Sequence, residues 1–303
     1  MEQGQILSDL AEMTSNSYFI GLAHVLLSSH QQTGILFAGY SFTLKKSKGN
    51  PMKKLILASA ISAAFVGGFA QAEEAAKSDH VISYNVGVTS DYVFRGISQS
   101  RNRAAFSGGL DYSHTSTGLY AGTWVSTISW VNDATASTTA NVPYEQDFYA
   151  GIKGDIGAGF SYDAGAIYYY YPHHKLGTAP NANTTEVYGK VAYGPVYLKV
   201  NYATGDAFWT SNKAGSYYVD ASGDFPVMDG LTLNLHAGRF QFKEAPGWSY
   251  SDWKVGLTKD FGSGLSGSIA ATGTNAQNTG YWNFNSTGYL GDTKGIVSLT
   301  KTF

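Results

Sequence analysis

VISYNVGVTSDYVFRGISQS, residues 81–100, decides how the rest of the chain is read. Ile82, Tyr84, Val86, Val88, Tyr92 and Phe94 share one parity, with only Ser90 polar among them. Ser83, Asn85, Gly87, Thr89, Asp91 and Arg95 share the other, with Val93 the exception. Strand side chains alternate between two faces, so this period predicts one long strand over residues 81–95. Such a run exceeds the ~5–6 residues usual in a soluble sheet. It suits a tilted membrane-crossing strand of about 9–11 residues. On that reading the apolar face, Tyr92 and Phe94 included, meets lipid, and Asp91 and Arg95 point into an interior. A long strand of a soluble sandwich is the alternative at this stage.

The remaining chain favours the membrane. No stretch sustains a 3.6-residue apolar period, and candidate strands follow at roughly 103–115, 119–130, 143–155, 159–171, 185–193, 195–206, 214–221, 231–241, 250–261, 265–273 and 294–303. In PVYLKVNYA, Val196, Leu198, Val200 and Tyr202 oppose Tyr197, Lys199 and Asn201. In LTLNLHA the leucines oppose Thr232, Asn234 and His236. The connections sort by parity. Short ones such as Ser116-Thr117-Gly118, Asp155–Gly159, Gly194-Pro195 and Gly262-Ser263-Gly264 alternate with long polar ones such as VNDATASTTANV and PHHKLGTAPNANT. Outer-membrane barrels have short turns at the periplasmic rim and long loops outside. A sandwich has no reason to sort its loops this way. The expectation is an all-β chain, a transmembrane antiparallel up-and-down β-barrel of about twelve strands. Tyr168 to Tyr171, Trp124, Trp130 and Trp253 are read as interfacial girdles.

The front of the chain agrees with export. MKKLILASAISAAFVGGFAQA, residues 52–72, has a basic start, an apolar run too short to span a bilayer, and the small-x-small ending of a cleaved signal. Cleavage is expected between Ala72 and Glu73, leaving residues 73–303 as the barrel. Residues 1–51 carry no sustained period and are expected to be upstream sequence, with translation beginning at Met52 and a genuine cytoplasmic extension as the alternative; a peptide from 1–51 in the native precursor would overturn this. The chain has no cysteine. After Ala72 it holds fifteen Lys and Arg against nineteen Asp and Glu, with no basic patch for nucleic acid. The expected location is the outer membrane of a Gram-negative bacterium, reached through the periplasm. KGIVSLTKTF ends in Phe303, the aromatic terminal strand that the barrel assembly machinery reads, so that machinery and outer-membrane lipid are the expected partners.

The opening strand YNVGVTSDYVFRGISQS, with DYVFRGISQS at its centre, and the following AAFSGGLDYS resemble the TorF-like family of outer-membrane porins. The resemblance implies an exported barrel with a transport role. It implies no substrate and no catalytic residues.

Candidate chemistry is sparse. His173-His174 is an adjacent pair on a loop with no completing ligand nearby. Serines and histidines show no spacing that distinguishes one pair. GIKGDIGAGF lacks the Lys-Ser/Thr ending and the following helix of a phosphate loop. No cofactor, metal or catalysis is expected. Interior charges carry more. Asp91, Arg95, Asp147, Lys153, Glu186, Lys190, Lys199, Asp252 and Lys254 fall on faces assigned to the lumen and are the expected pore-lining residues. Asp91 and Arg95 would sit roughly 13 Å apart along one strand, too far to pair with each other. Eight strands leave a filled interior and 16–18 an open channel, so twelve predict a narrow passage for ions or small hydrophilic solutes. A barrel plugged by salt bridges, with structural or adhesive loops, and a lipid-modifying outer-membrane enzyme are the alternatives.

Overall fold

The structure is a computed structural model that describes residues 78–134, 142–172, 182–208, 214–277 and 288–303. Residues 1–51, the expected signal, the Ala72–Glu73 junction and His173-His174 lie outside them. The chain forms β1 (His80–Thr89), β2 (Val93–Phe94), β3 (Ile97–Ser98), β4 (Ala105–His114), β5 (Leu119–Thr127), a helical turn α1 (Trp130–Ala134), β6 (Tyr144–Gly157) and β7 (Phe160–Tyr170). There follow β8 (Thr184–Tyr193), β9 (Val196–Ala203), β10 (Tyr217–Met228), β11 (Leu231–Gln241), β12 (Tyr250–Gly262), β13 (Leu265–Thr274) and β14 (Lys294–Thr302). All but β2 and β3 form one closed barrel of twelve antiparallel strands, each beside its chain neighbour, with β14 returning to β1. At the seam Phe303 N donates to Tyr84 O (3.0 Å) and the two rings stack 5.1 Å apart.

Alternation explains which way the wall faces. Ile82, Val86, Phe106, Leu110, Leu198 and Val297 are exposed on the outside, while Ser83, Asp147, Glu186 and Asn201 are buried on the inside. So broad an apolar outer belt belongs in lipid, and closure leaves no unpaired edge there. The protein is an outer-membrane type β-barrel. Turns at 115–118, 158–159, 194–195, 229–230 and 263–264 form one rim, and the opposite strand ends, with 90–104, 242–249 and the described parts of the other long connections, form the other.

The structure changes three expectations. The strand expected over 214–221 runs to Met228, because a bulge between Pro226 and Met228 accommodates the proline, which has no amide to give the ladder. The connection after it is therefore a tight turn. Trp124, Trp130, Tyr169 and Tyr171 are not girdle residues. Trp124 faces the lumen and packs edge-on against Tyr92, and the other three are buried in an apolar cluster at the long-loop mouth. Most importantly, the first strand ends at Thr89, and Tyr92 and Phe94 leave the wall and turn inward.

Aromatics also line the β5–β8 side of the lumen. Gly122 sits directly opposite Tyr149 across the β5–β6 ladder, and a Cβ there would lie 2.5 Å from the Tyr149 ring. Tyr120 lies over Gly151, and Tyr188 over Gly165, in the same way. Bare glycine backbone lets each ring lie flat against the wall, where Tyr149 donates to Asp111 (2.6 Å) and Tyr120 to Asp163.

Candidate functional site

DYVFRGISQS builds an inward hairpin. Val93 pairs with Ser98 and Phe94 with Ile97, and Gln99 N donates to Tyr92 O (2.7 Å). Arg95 and Gly96 form the two-residue turn with φ of 48° and 77°. Positive φ at both central positions is the requirement of the type I′ turn that suits strand twist. A Cβ on Gly96 would lie 2.6 Å from that of Asp252 on β12, so only glycine fits at this tip. Asp91 ties the hairpin base. Its Oδ1 accepts from Ser98 Oγ (2.6 Å) and lies 2.9 Å from Ser100 Oγ. Lys294 Nζ stands 3.3 Å from Oδ2, near enough to balance its charge though not aligned as a hydrogen bond.

The hairpin crosses the lumen. Arg95 reaches from the β1 side to β8, where its two terminal nitrogens donate to the two carboxylate oxygens of Glu186 (2.9 and 2.6 Å). Both side chains are buried, 5% and 1% exposed. The guanidinium lies 4.6, 4.4 and 4.9 Å from the ring centroids of Phe94, Tyr218 and Phe240. Tyr92 donates to Glu145 on β6 (2.8 Å). Asp147, on the same face of β6, is buried with Oδ1 accepting no hydrogen bond.

Beneath this roof lies a cavity of about 660 Å³, lined by the hairpin and by the inner faces of β9 to β14. Those strands bring small polar side chains such as Thr232, Asn234, Thr258, Ser268 and Ser298. On its wall His236 sits between two carboxylates, with Nδ1 2.9 Å from Asp220 Oδ1 and Nε2 2.8 Å from Asp252 Oδ1. Ser222 Oγ lies 2.9 Å from Nδ1. A ring facing a carboxylate at each nitrogen satisfies both only by donating from both, as the imidazolium. Ser222, His236, Asp220 and Asp252 thus form one connected polar cluster on the cavity wall.

Of the residues expected to line a pore, Asp91, Arg95, Lys199, Asp252 and Lys254 line the cavity. Asp147 and Glu186 lie beside the hairpin instead. Lys190 pairs with Asp163 (3.6 Å), and Lys153 is exposed on the inner face of β6, 5.4 Å from the Tyr120 ring centroid. Lys199 stacks on Tyr188 (3.9 Å). Asp91 and Arg95 do not meet; each has its own partners. Sequence reasoning did not single out Glu145, Asp220, His236 or Lys294. Parity places each on an inner face, but parity does not say which charges meet across the barrel.

Over residues 73–303 the sequence matches the family model described as "Bacterial protein of unknown function (Gcw_chp)". The chain belongs to this family. That description names no activity, so the porin role implied by the TorF-like resemblance is not part of it. No curated protein sequence matches the chain. Similar solved structures include the KdgM porin, with TM-score 0.44 and 9% identity over 73% of this chain and 98% of that one. The NanC porin gives 0.46 and 10% over 74% and 99%. Outer membrane phospholipase A from Escherichia coli gives 0.38 and 13% over 73% and 91%. Channels and an enzyme stand side by side here, and likeness at this level carries no argument about activity.

Proposed function

We propose that this Gcw_chp barrel is a porin-like channel for passive movement of ions or small hydrophilic solutes, and that the 93–98 hairpin is its constriction. The observation that carries this is the roofed polar cavity. A barrel built only as a plugged scaffold would gain by filling its interior, as the tyrosines do on the β5–β8 side. Here the β9–β14 side keeps small polar residues and water-sized space instead. Passage would follow that side, past Lys199 and Lys254 and beneath Arg95, without catalysis or an energy source. This is the transport role that the TorF-like resemblance implies. Assembly through the terminal strand ending in Phe303 belongs to the same proposal.

The plugged reading has one observation in its favour: the apolar cluster that includes Ile97, Tyr171, Phe208 and Phe240 at the long-loop mouth. Single-channel recording in a planar bilayer separates the two. Discrete current steps from the folded, inserted protein support the channel, and the reversal potential in a salt gradient gives the sign of its selectivity. Silence in the wild type and in a variant lacking the hairpin would establish the plug.

A further inference from the structure

Arg95 is held in surroundings of one recognisable chemistry. Its guanidinium has a carboxylate fork in its plane at Glu186 and aromatic rings around it at Phe94, Tyr218 and Phe240. Carboxylate plus aromatic cage is the arrangement that recognises guanidinium and alkylammonium groups. Two of the three rings, Tyr218 and Phe240, belong to the barrel wall and stay when the hairpin leaves. The wall also supplies more carboxyl groups than Arg95 uses. Glu145, Asp147 and Glu186 are all buried there, and among the described residues Arg95 is the only basic side chain that forms an ion pair with any of them. Asp147 Oδ1, buried and without a hydrogen-bond partner, is an acceptor that Arg95 leaves unused.

We infer that the hairpin is a built-in competitor, and that the mouth of the lumen binds solutes carrying a guanidinium or ammonium group when Arg95 withdraws from Glu186. This deepens the channel reading by naming its solute class. Displacement exchanges one charge-assisted fork for another, so the solute offsets the exposure of Glu186 that makes withdrawal costly. An anion has nothing to gain in this place.

The test is current recording from the full-length protein in a planar bilayer, with ethylguanidinium as the probe and ethylsulfate as its anionic control. In Arg95→Ala, millimolar ethylguanidinium added at the long-loop side is expected to block the open current. Adding Glu186→Gln to that variant should weaken the block about tenfold or more. In the unmodified protein the same cation must first displace Arg95, so block is expected only at higher concentration and is lost with Glu186→Gln, which covers the case in which Arg95→Ala does not fold. Equal block in both backgrounds, equal block by ethylsulfate, or an indifferent wild type overturns the inference. If no variant conducts, the temperature at which the folded barrel loses its gel mobility is read instead. A rise with ethylguanidinium in Arg95→Ala but not in the double variant upholds the cation site and removes only the channel; no rise removes both.

Discussion

Arg95 holds the hairpin through three kinds of contact at once: a planar double hydrogen bond, opposite charge and ring stacking. Lysine can supply only the charge, because its ammonium is a point donor without a flat face. Arg95→Lys is therefore expected to free the hairpin almost as fully as Arg95→Ala, seen as loss of amide exchange protection across residues 92–99. Leaving Glu186 buried without its partner costs about 3–5 kcal/mol, whereas adding Glu186→Gln to Arg95→Ala removes that uncompensated charge and should recover part of the cost. Protection that persists in Arg95→Lys would show that charge alone is enough. Gly96 is constrained from both sides. Gly96→Ala must hold a left-handed φ at about 1–2 kcal/mol and push its Cβ into Asp252, so the same exchange measurement should report a loosened tip.

At the scale of elements, the hairpin is separable from the wall. The β1–β4 ladder runs without a break from His80↔His114 to Thr89↔Ala105, and the residues between, the hairpin included, lie outside that ladder. Replacing residues 92–99 with a short flexible linker should therefore leave a barrel that still shifts in gel mobility on heating, while its conductance rises. A variant that fails to insert would mean that the hairpin templates folding. The twelve wall strands could be read from the sequence because each one alternates and each is bounded by turn residues. The hairpin could not. Tyr92 and Phe94 continue the period of Tyr84, Val86 and Val88 without a skip, since a residue in any extended segment alternates whether or not it lies in the wall. Its turn is Arg-Gly, not the Asn-Gly or Asp-Gly that marks a type I′ turn. Asp91, Ser98 and Ser100, which tie the base, are legible only after the chain is known to double back.

Across the whole molecule, the lumen is divided lengthwise. Tyrosines lying over glycines fill the β5–β8 side, and small polar residues leave space along β9 to β14. Twelve strands enclose more than the filled interior of an eight-stranded barrel, and this asymmetry confines the surplus space to a cavity beside one wall. The wall itself separates stability from selectivity one residue at a time, which β12 makes testable. Lys254 projects into the cavity with its side chain exposed, and the next residue, Val255, projects into lipid. Val255→Arg should destabilise the folded barrel by roughly 2–4 kcal/mol if it lies near the bilayer midplane, read as a lower urea midpoint in vesicles, with channel selectivity unchanged. Lys254→Glu should leave that midpoint within about 0.5 kcal/mol of wild type and move the reversal potential toward cations, because it exchanges a positive charge for a negative one beside His236. A selectivity shift from Val255→Arg, or none from Lys254→Glu in a conducting protein, would place the solute path away from β12 and return the tyrosine-lined side as its route.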